Sequence, residues 1–186
     1  MHNVGWIAIV CSLLAVACAG SPRVPLTTAA TVDLARYAGT WYEIARLPAF
    51  FQRDCVASQA EYTRLASGRL GVTNRCRTRD GDERSIRGEA EVVDRTTHAR
   101  LLVRFDTWFA FLVPAPRTGN YWILDVAADY QTALVGTPDF RHLWLLARTP
   151  EIGPERYPAM VARARNLGFP VERLVRDEWP ARPPAS

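Results

Sequence analysis

The sequence predicts an all-β fold: an eight-stranded antiparallel up-and-down barrel with one α-helix packed outside it near the C-terminus. Segments of strand length, rich in β-branched and aromatic residues, alternate with short turn signals such as Asp80-Gly81-Asp82. Clear helical periodicity is confined to one segment near the C-terminus. Eight strands that close into a barrel leave room for one small ligand, and closure removes the exposed edges of an open sheet.

Clusters of Gly, Pro, Asn, Asp and Ser set the limits of the predicted strands. Each strand is an extended run between two such clusters, and residues 33–37 are expected to form one helical turn before the first strand. The strands are expected at residues 40–47, 55–65, 70–78, 84–93, 99–107, 120–126, 130–136 and 142–148, with a short ninth strand near 171–176.

One amphipathic helix is predicted at residues 155–167. Apolar residues at helical spacing share one of its faces, and arginines take the others. Gly168 suits the left-handed backbone that commonly ends a helix, and Pro170 lies just beyond it. The apolar face consists of Tyr157, Val161, Ala164 and Leu167.

Composition and the motifs that are missing narrow the functional classes. The chain has 186 residues, 48% of them hydrophobic and 23% charged, which fits one domain with a sizeable core. Its net charge is +4 and its arginines are scattered singly, so no nucleic-acid partner is expected. It has no Ser-His-Asp order, no Gly-rich phosphate loop and no Cys/His metal spacing. We therefore expect a binding protein without catalytic residues, a cofactor or a metal.

The N-terminus predicts export and a lipid anchor. Residues 6–17 form an uncharged apolar run that is shorter than the about 20 residues needed to span a bilayer but suits a secretory signal. The small residues around Cys18 resemble the bacterial lipobox, in which the signal is cut before the cysteine and the thiol is lipidated. Residues 1–17 are thus expected to be a signal peptide, although no Lys or Arg precedes the apolar run and Ala15 replaces the usual Leu. An ordinary signal-peptidase cut nearby, or an uncleaved anchor, is the alternative.

Segments rich in Pro, Ser, Thr and Ala flank the expected domain at residues 32–179. Residues 18–31 are expected to form a tether to the membrane, and residues 180–186 a disordered tail. Ala19 follows the lipidated cysteine where an Asp would favour inner-membrane retention. The lipobox resemblance therefore implies the outer membrane, with the protein facing the periplasm.

Two cysteines, Cys55 and Cys76, remain in the exported domain. Because that compartment is oxidising, a disulfide between them is expected, worth roughly 3 kcal/mol in the chain-entropy model. The alternative is a reactive Cys55 inside a cavity, although no His or acid nearby in the sequence would activate it.

Three motifs in order resemble those of the lipocalin family. Gly39-Thr40-Trp41 opens the first strand, Asp129-Tyr130 ends a motif that begins at residue 120, and Leu143-Trp144-Leu145-Leu146-Ala147-Arg148 closes the last strand. The similarity is closest to the branch that contains bacterial outer-membrane lipocalins and apolipoprotein D. It implies that the first motif's Trp plugs the narrow end of the barrel and that the last motif's Arg packs on it.

The resemblance also implies a ligand and a role. Fatty acids, lysophospholipids or similar membrane lipids are the expected ligands, stored or transported during envelope stress. Two other functions stay open on sequence grounds. One is an enzyme on the same barrel that uses a free Cys55 or an activated acid, and the other is a protein-binding module that acts through the barrel loops.

Inward-facing residues of several strands are expected to line the ligand site. Because side chains alternate along a strand, Glu43 and Ala45 are expected to face inward with Trp41. Residues 108–113 are unusually apolar and are expected to line the cavity mouth, pack a homodimer or dip into the membrane. The ligand-binding candidates are Glu43, Phe51, Tyr62, Val93, Phe105, Trp108, Tyr121 and Ile123.

Overall fold

Eight antiparallel strands close into a barrel, as the turn spacing predicts. The computed structural model describes residues 25–107 and 116–180. Each strand pairs with the next, and β8 and β2 both pair with β1. Each of the eight barrel strands begins and ends within two residues of its predicted limits. The strands are β1 (Gly39–Arg46), β2 (Cys55–Arg64), β3 (Leu70–Thr78), β4 (Glu83–Val92), β5 (Arg100–Phe105), β6 (Tyr121–Val126), β7 (Thr132–Gly136) and β8 (Leu143–Ala147).

The two ends of the barrel differ in their loops. Turns at residues 65–69, 93–99 and 127–131 lie at the end near Trp41, which we call the Trp41 end. Loops at residues 47–54, 79–82 and 137–142 lie at the opposite end, which we call the Phe51 end. The short helix α1 (Leu34–Tyr37) packs at the Trp41 end, where the Asp33 carboxylate caps it by accepting from the Ala35 amide at 2.8 Å.

Two hydrophobic clusters separate the inside of the barrel from its outer face. Residues that alternate along every strand meet in an interior cluster, which includes Trp41, Tyr62, Val72, Leu101 and Ile123. A second cluster joins the outer face of β6–β8 to helix α2 (Arg156–Asn166). The predicted helix face is confirmed, since Ala164 is fully buried and the other three predicted residues are partly buried against the sheet. Met160, which the prediction omitted, is also buried there.

A β-bulge changes the direction of side chains in β1. Glu43 lies opposite Leu146 of β8, but Ala45 lies opposite Leu145, so the register shifts between them. Ala45 therefore packs in the outer cluster, and the expectation that it faces inward is wrong. The same shift turns the long side chain of Arg46 toward the interior face, opposite Trp144.

The C-terminal segment completes the wall where β1 and β2 separate. Strand β9 (Val175–Arg176) pairs antiparallel with β1, near the ninth strand that the sequence predicts. The Asp177 amide donates to the Ile44 carbonyl at 3.1 Å, and the Glu178 amide donates to the Val56 carbonyl at 2.7 Å. Residues 175–178 thus bridge two strands that no longer bond to each other directly.

The chain joins the fold earlier than predicted. Leu26 is buried in the outer cluster, and the Ala29 amide donates to the Ile123 carbonyl at 2.9 Å. The later part of the expected tether at residues 18–31 is therefore part of the domain. The signal peptide, Cys18, residues 108–115 and most of the tail lie outside the described residues. Within residues 25–107 and 116–180, no helix is long and apolar enough to cross a membrane.

Candidate functional site

The barrel interior gathers most of the predicted ligand-binding residues. Tyr62 and Ile123 are buried members of the interior cluster, and Phe105 and Tyr121 pack against it while partly exposed. They come from β2, β5 and β6, so the alternation of side chains brings together residues that are far apart in sequence. Glu43 also faces this interior, as expected.

Trp41 and Arg148 form the base of the interior at the Trp41 end. The Arg148 guanidinium carbon lies 3.9 Å from the centroid of the Trp41 ring, which is fully buried. Its nitrogens donate to the carbonyl oxygens of Thr40 at 2.9 Å and Tyr37 at 3.1 Å. The Trp41 indole nitrogen also donates to the Tyr37 carbonyl, at 2.7 Å. These contacts hold helix α1 against the barrel, so the pair has the structural role that the motifs imply.

Three tyrosine hydroxyls meet just above this base. The Tyr121 hydroxyl lies 2.7 Å from that of Tyr37 and accepts a hydrogen bond from that of Tyr62 at 2.8 Å. Burial raises the pKa of all three phenols, so they stay neutral at physiological pH. Three hydroxyl protons serve two hydrogen bonds, which leaves one proton without an acceptor among the described residues.

A buried charged cluster lies between this interior and the Phe51 end. Arg46 donates to the Glu43 carboxylate at 2.8 Å and also to that of Asp177. Gln52 donates its amide to the second oxygen of Glu43 at 2.9 Å, and the backbone amide of Ser58 donates to Asp177 at 2.7 Å. Glu43 is thus paired with an arginine and an amide, and Asp177 joins the cluster from a part of the chain that the sequence analysis did not connect to it.

The pKa values of both carboxyl groups in this cluster, Glu43 and Asp177, are raised above those of exposed carboxyl groups. Burial and the negative charge of Glu43 raise the pKa of Asp177 to about 9, and these effects outweigh its contact with Arg46. Burial also raises the pKa of Glu43, against the opposing charge of Arg46. At neutral pH one arginine therefore faces two carboxyl groups that share a proton, which leaves the cluster close to neutral.

An aromatic row continues from this cluster to the rim. Trp144 donates its indole proton to the Gln52 side-chain oxygen at 2.9 Å. The His142 ring stacks on Trp144 at 5.7 Å between centroids, and Phe51 contacts His142 at 5.3 Å. Burial lowers the pKa of His142, so its ring is neutral at physiological pH.

Two ligand-binding candidates lie elsewhere than predicted, and a third is outside the part of the chain that the structure describes. Phe51 is 64% exposed at the rim, because a short 3-10 turn, Phe50–Gln52, carries it out of the barrel. Val93 follows β4 and is not part of the interior cluster, since Ala90 and Val92 take the inward positions. Trp108 lies outside the described residues.

Sequence reasoning missed Asn74 on the inner wall. Val72 is in the interior cluster, so the alternation of β3 places Asn74 on the same face, opposite the inward residue Ala60. Its side-chain oxygen is buried and has no hydrogen-bond partner among the described residues. The inward positions of β3 before it, Leu70 and Val72, are apolar. A polar residue at the next inward position was the signal that could have identified Asn74.

The predicted disulfide between Cys55 and Cys76 is present. It links the start of β2 to β3, with the two Cα atoms 5.6 Å apart. Cys55 therefore has no free thiol. Among residues 25–107 and 116–180, no three His, Cys, Asp or Glu side chains come close enough together to hold a metal ion.

Comparison with known proteins identifies the family. The model of the lipocalin-like domain matches residues 32–178. The chain belongs to the lipocalin family. This lipocalin is 36% identical over 157 residues to temperature-induced lipocalin-1 of Arabidopsis thaliana, with 83% of each chain covered. It is 35% identical over 171 residues to the outer membrane lipoprotein Blc of Escherichia coli K12, with 90% of this chain and 92% of the relative covered.

Two further relatives extend the similarity. Apolipoprotein D of Mus musculus is 33% identical over 153 residues, which cover 76% of this lipocalin and 74% of the relative. The solved structure of insecticyanin from the tobacco hornworm Manduca sexta matches with a TM-score of 0.65 at 19% identity, over 83% of this lipocalin and 85% of that chain. The structure match supports the fold alone, whereas the sequence relatives confirm the family and branch that the three motifs indicate.

Proposed function

We propose that this lipocalin binds fatty acids or lysophospholipids and stores or transports them in the bacterial envelope. The observation that carries the proposal is the closed barrel with a mostly apolar inner wall. Among the described residues, the polar groups on this wall are the tyrosine cluster, Asn74 and the charged cluster around Glu43. Sites for small apolar ligands are usually of this kind, mostly apolar with a few placed polar groups. Similarity to apolipoprotein D and Blc favours a lipid ligand.

Burial of the acyl chain would provide most of the affinity. Each methylene removed from water contributes about 0.8 kcal/mol, so ten or more methylenes yield micromolar binding after the costs of ordering. The polar head would lie toward the Phe51 end, where Gln52, Glu43 and Arg46 supply donors and acceptors. Asn74 and the free hydroxyl proton of the tyrosine cluster offer two further polar contacts along the inner wall.

The sequence of the N-terminus supports the proposed membrane setting. Lipid on Cys18 would hold the domain at the outer membrane, facing the periplasm, and a relative of similar length is named an outer membrane lipoprotein. Several acyl chains bind a membrane far more firmly than one. A role in membrane maintenance under stress is supported by the name of the temperature-induced relative. A carrier held in this way could exchange acyl chains with the membrane beside it.

The structure does not support an enzyme that uses Cys55 as its nucleophile. Cys55 is bonded to Cys76, and a disulfide sulfur is not a thiolate. The homodimer depends on residues 108–113, and the protein-binding module depends on those residues and on the barrel loops. Residues 108–113 lie outside the described residues, and no contact among the described loops favours a protein partner. Lipid binding is therefore the function that the described geometry favours.

Native mass spectrometry and fluorescent fatty-acid titration test the proposal. Ala60→Trp places a large ring on the inner wall, whereas Thr63→Trp places the same ring on the exposed outer face of the same strand. We expect Ala60→Trp to weaken fatty-acid binding about tenfold or more and Thr63→Trp to leave it unchanged. Circular dichroism would show that both variants are folded. If the unmodified protein neither copurifies with lipid nor binds the probe, the lipid-carrier proposal fails.

A further inference from the structure

A cavity of about 390 Å³ lies at the Phe51 end, beside the buried charged cluster. It opens to solvent and is lined by Arg46, residues 48–50, 52 and 53, the start of β2, Arg79 after β3, and the C-terminal residues 175, 176 and 178. None of its lining residues belongs to the interior cluster. The disulfide holds β2 and β3 together beside it, so the cavity has firm walls on that side.

Arginines dominate the charge of this cavity. Among the residues that the structure describes, its wall contains four of them and a single acidic residue, Glu178. Arg46 is already paired with Glu43 and Asp177, and the Arg176 guanidinium lies 4.2 Å above the ring of Tyr157. The remaining two arginines, Arg53 and Arg79, are therefore the ones available to an anion.

Arg53 and Arg79 are held close to each other by the backbone. The Arg79 amide donates to the Asp54 carbonyl at 3.1 Å, which places Arg79 beside the residue that follows Arg53. Arg53 forms an exposed ion pair with Asp54 at 3.7 Å, and such exposed pairs contribute little free energy. The Arg79 side chain has no hydrogen-bond or ion-pair partner within the described chain. Two cations thus face one cavity without a strong counterion.

The same cavity exposes apolar side chains. Phe50 is 79% exposed and Val175 is 45% exposed, and both line it together with Pro48 and Val56. The Arg53 guanidinium lies 4.7 Å from the Phe50 ring centroid, so a cation and an aromatic face are presented side by side. A small inorganic anion would leave this apolar surface in water, whereas an amphiphile would cover it.

We propose that this cavity binds the phosphate group of a phospholipid. Arginine matches phosphate because its fixed fork of donors forms paired, charge-assisted hydrogen bonds. Arg53 and Arg79 would bind the phosphate oxygens, and the glycerol and the first acyl methylenes would lie over Phe50 and Val175. Arg46 and Gln52 line both this cavity and the polar end of the proposed interior site, but Arg53 and Arg79 take no part in the interior site.

Calorimetric titration of the full chain separates the two sites. The probes are lysophosphatidic acid, the monoacylglycerol with the same acyl chain, and inorganic phosphate. Protein first saturated with the monoacylglycerol, which lacks phosphate, should still bind lysophosphatidic acid at one further site. That binding should weaken as salt is added, because the arginines are exposed. If the interior binds no lipid, the monoacylglycerol will show no binding but lysophosphatidic acid will still bind once.

The double variant Arg53→Gln with Arg79→Gln provides the decisive comparison. Its matched control, Arg64→Gln with Arg95→Gln, removes the same charge from exposed positions at the Trp41 end. We expect the first variant to lose affinity for lysophosphatidic acid at the further site about tenfold or more, and the control to lose none. Equal binding by both variants would overturn the proposal. Inorganic phosphate bound as tightly as lysophosphatidic acid would also overturn it, since the site would then recognise an anion and not a lipid.

Discussion

Arg148 stabilises the Trp41 end through two kinds of contact at once. Its planar face covers the Trp41 ring, and its edge donates to four carbonyl oxygens, those of Arg36, Tyr37, Thr40 and Tyr130. Burial lowers the pKa of Arg148, but an arginine remains charged at physiological pH. One side chain therefore joins β8, helix α1 and β1.

Replacing Arg148 should destabilise the fold without changing the ligand site. We expect Arg148→Met to lower the free energy of unfolding by about 2–4 kcal/mol, because the cation–π contact and several hydrogen bonds to a charged group are lost. Arg148→Lys should lose nearly as much, since an ammonium group cannot stack flat or reach several carbonyls. Urea unfolding followed by circular dichroism measures the change.

Arg104 is the matched control for this prediction. It is exposed on the outer face of β5, so Arg104→Met should change the free energy of unfolding by less than about 0.5 kcal/mol. A loss below about 1 kcal/mol for Arg148→Met would contradict the structural role that we assign to the contact with Trp41.

The C-terminal segment bridges β1 and β2 through a protonated carboxyl group. Asp177 lies where the two strands separate, and the pKa of Asp177 is raised to about 9 by burial and by Glu43. An aspartate in the unfolded chain titrates near pH 4. Between about pH 4 and pH 9 the folded protein therefore keeps a proton that the unfolded chain has released. Raising the pH through this range should lower the free energy of unfolding.

Asp177→Asn should remove this pH dependence. The unmodified protein is expected to lose up to about 1.4 kcal/mol per pH unit within the range, whereas the variant has no proton to release at this position. The variant should thus be the more stable protein at alkaline pH. Chemical denaturation across the range measures this. Asp80→Asn, in the exposed β3–β4 turn, should leave the pH profile unchanged. If the free energy of unfolding of Asp177→Asn fell with pH as steeply as that of the unmodified protein, the proposed protonation of Asp177 would be contradicted.

The strands and helix α2 could be predicted because local patterns determine them. Turn residues and alternation fixed the strand limits within two residues, and helical spacing identified the buried face around Ala164. The three motifs also identified the Trp41–Arg148 contact. These features depend on residues close in sequence, or on pairs that the family's motifs already link.

The charged cluster at the Phe51 end could not be predicted in the same way. Arg46 and Asp177 are 131 positions apart and meet only because β9 adds to the barrel beside β1. A bulge turned Ala45 outward and Arg46 inward, and alternation alone contains no sign of a bulge. The inward direction of Glu43 could be predicted, but its arginine partner and the second carboxylate depended on tertiary structure.

For the molecule as a whole, the interior should select ligands by acyl-chain length. Each further methylene buried in the barrel should tighten binding about fourfold, since about 0.8 kcal/mol is gained per methylene. The gain should stop once the chain reaches the tyrosine cluster above Trp41, because that cluster and the base close this end. Competition of saturated fatty acids against a fluorescent analogue measures the series.

Ala60→Trp provides a stricter test of this prediction. The added ring would shorten the length of the interior that is available to an acyl chain, and both ends of the barrel would stay unchanged. In that variant the plateau should be reached with a shorter fatty acid, whereas Thr63→Trp on the outer face should keep the original plateau. Short fatty acids should bind both variants with similar affinity. An affinity that rises without a plateau, or that does not depend on chain length, would mean that the acyl chain lies outside the barrel.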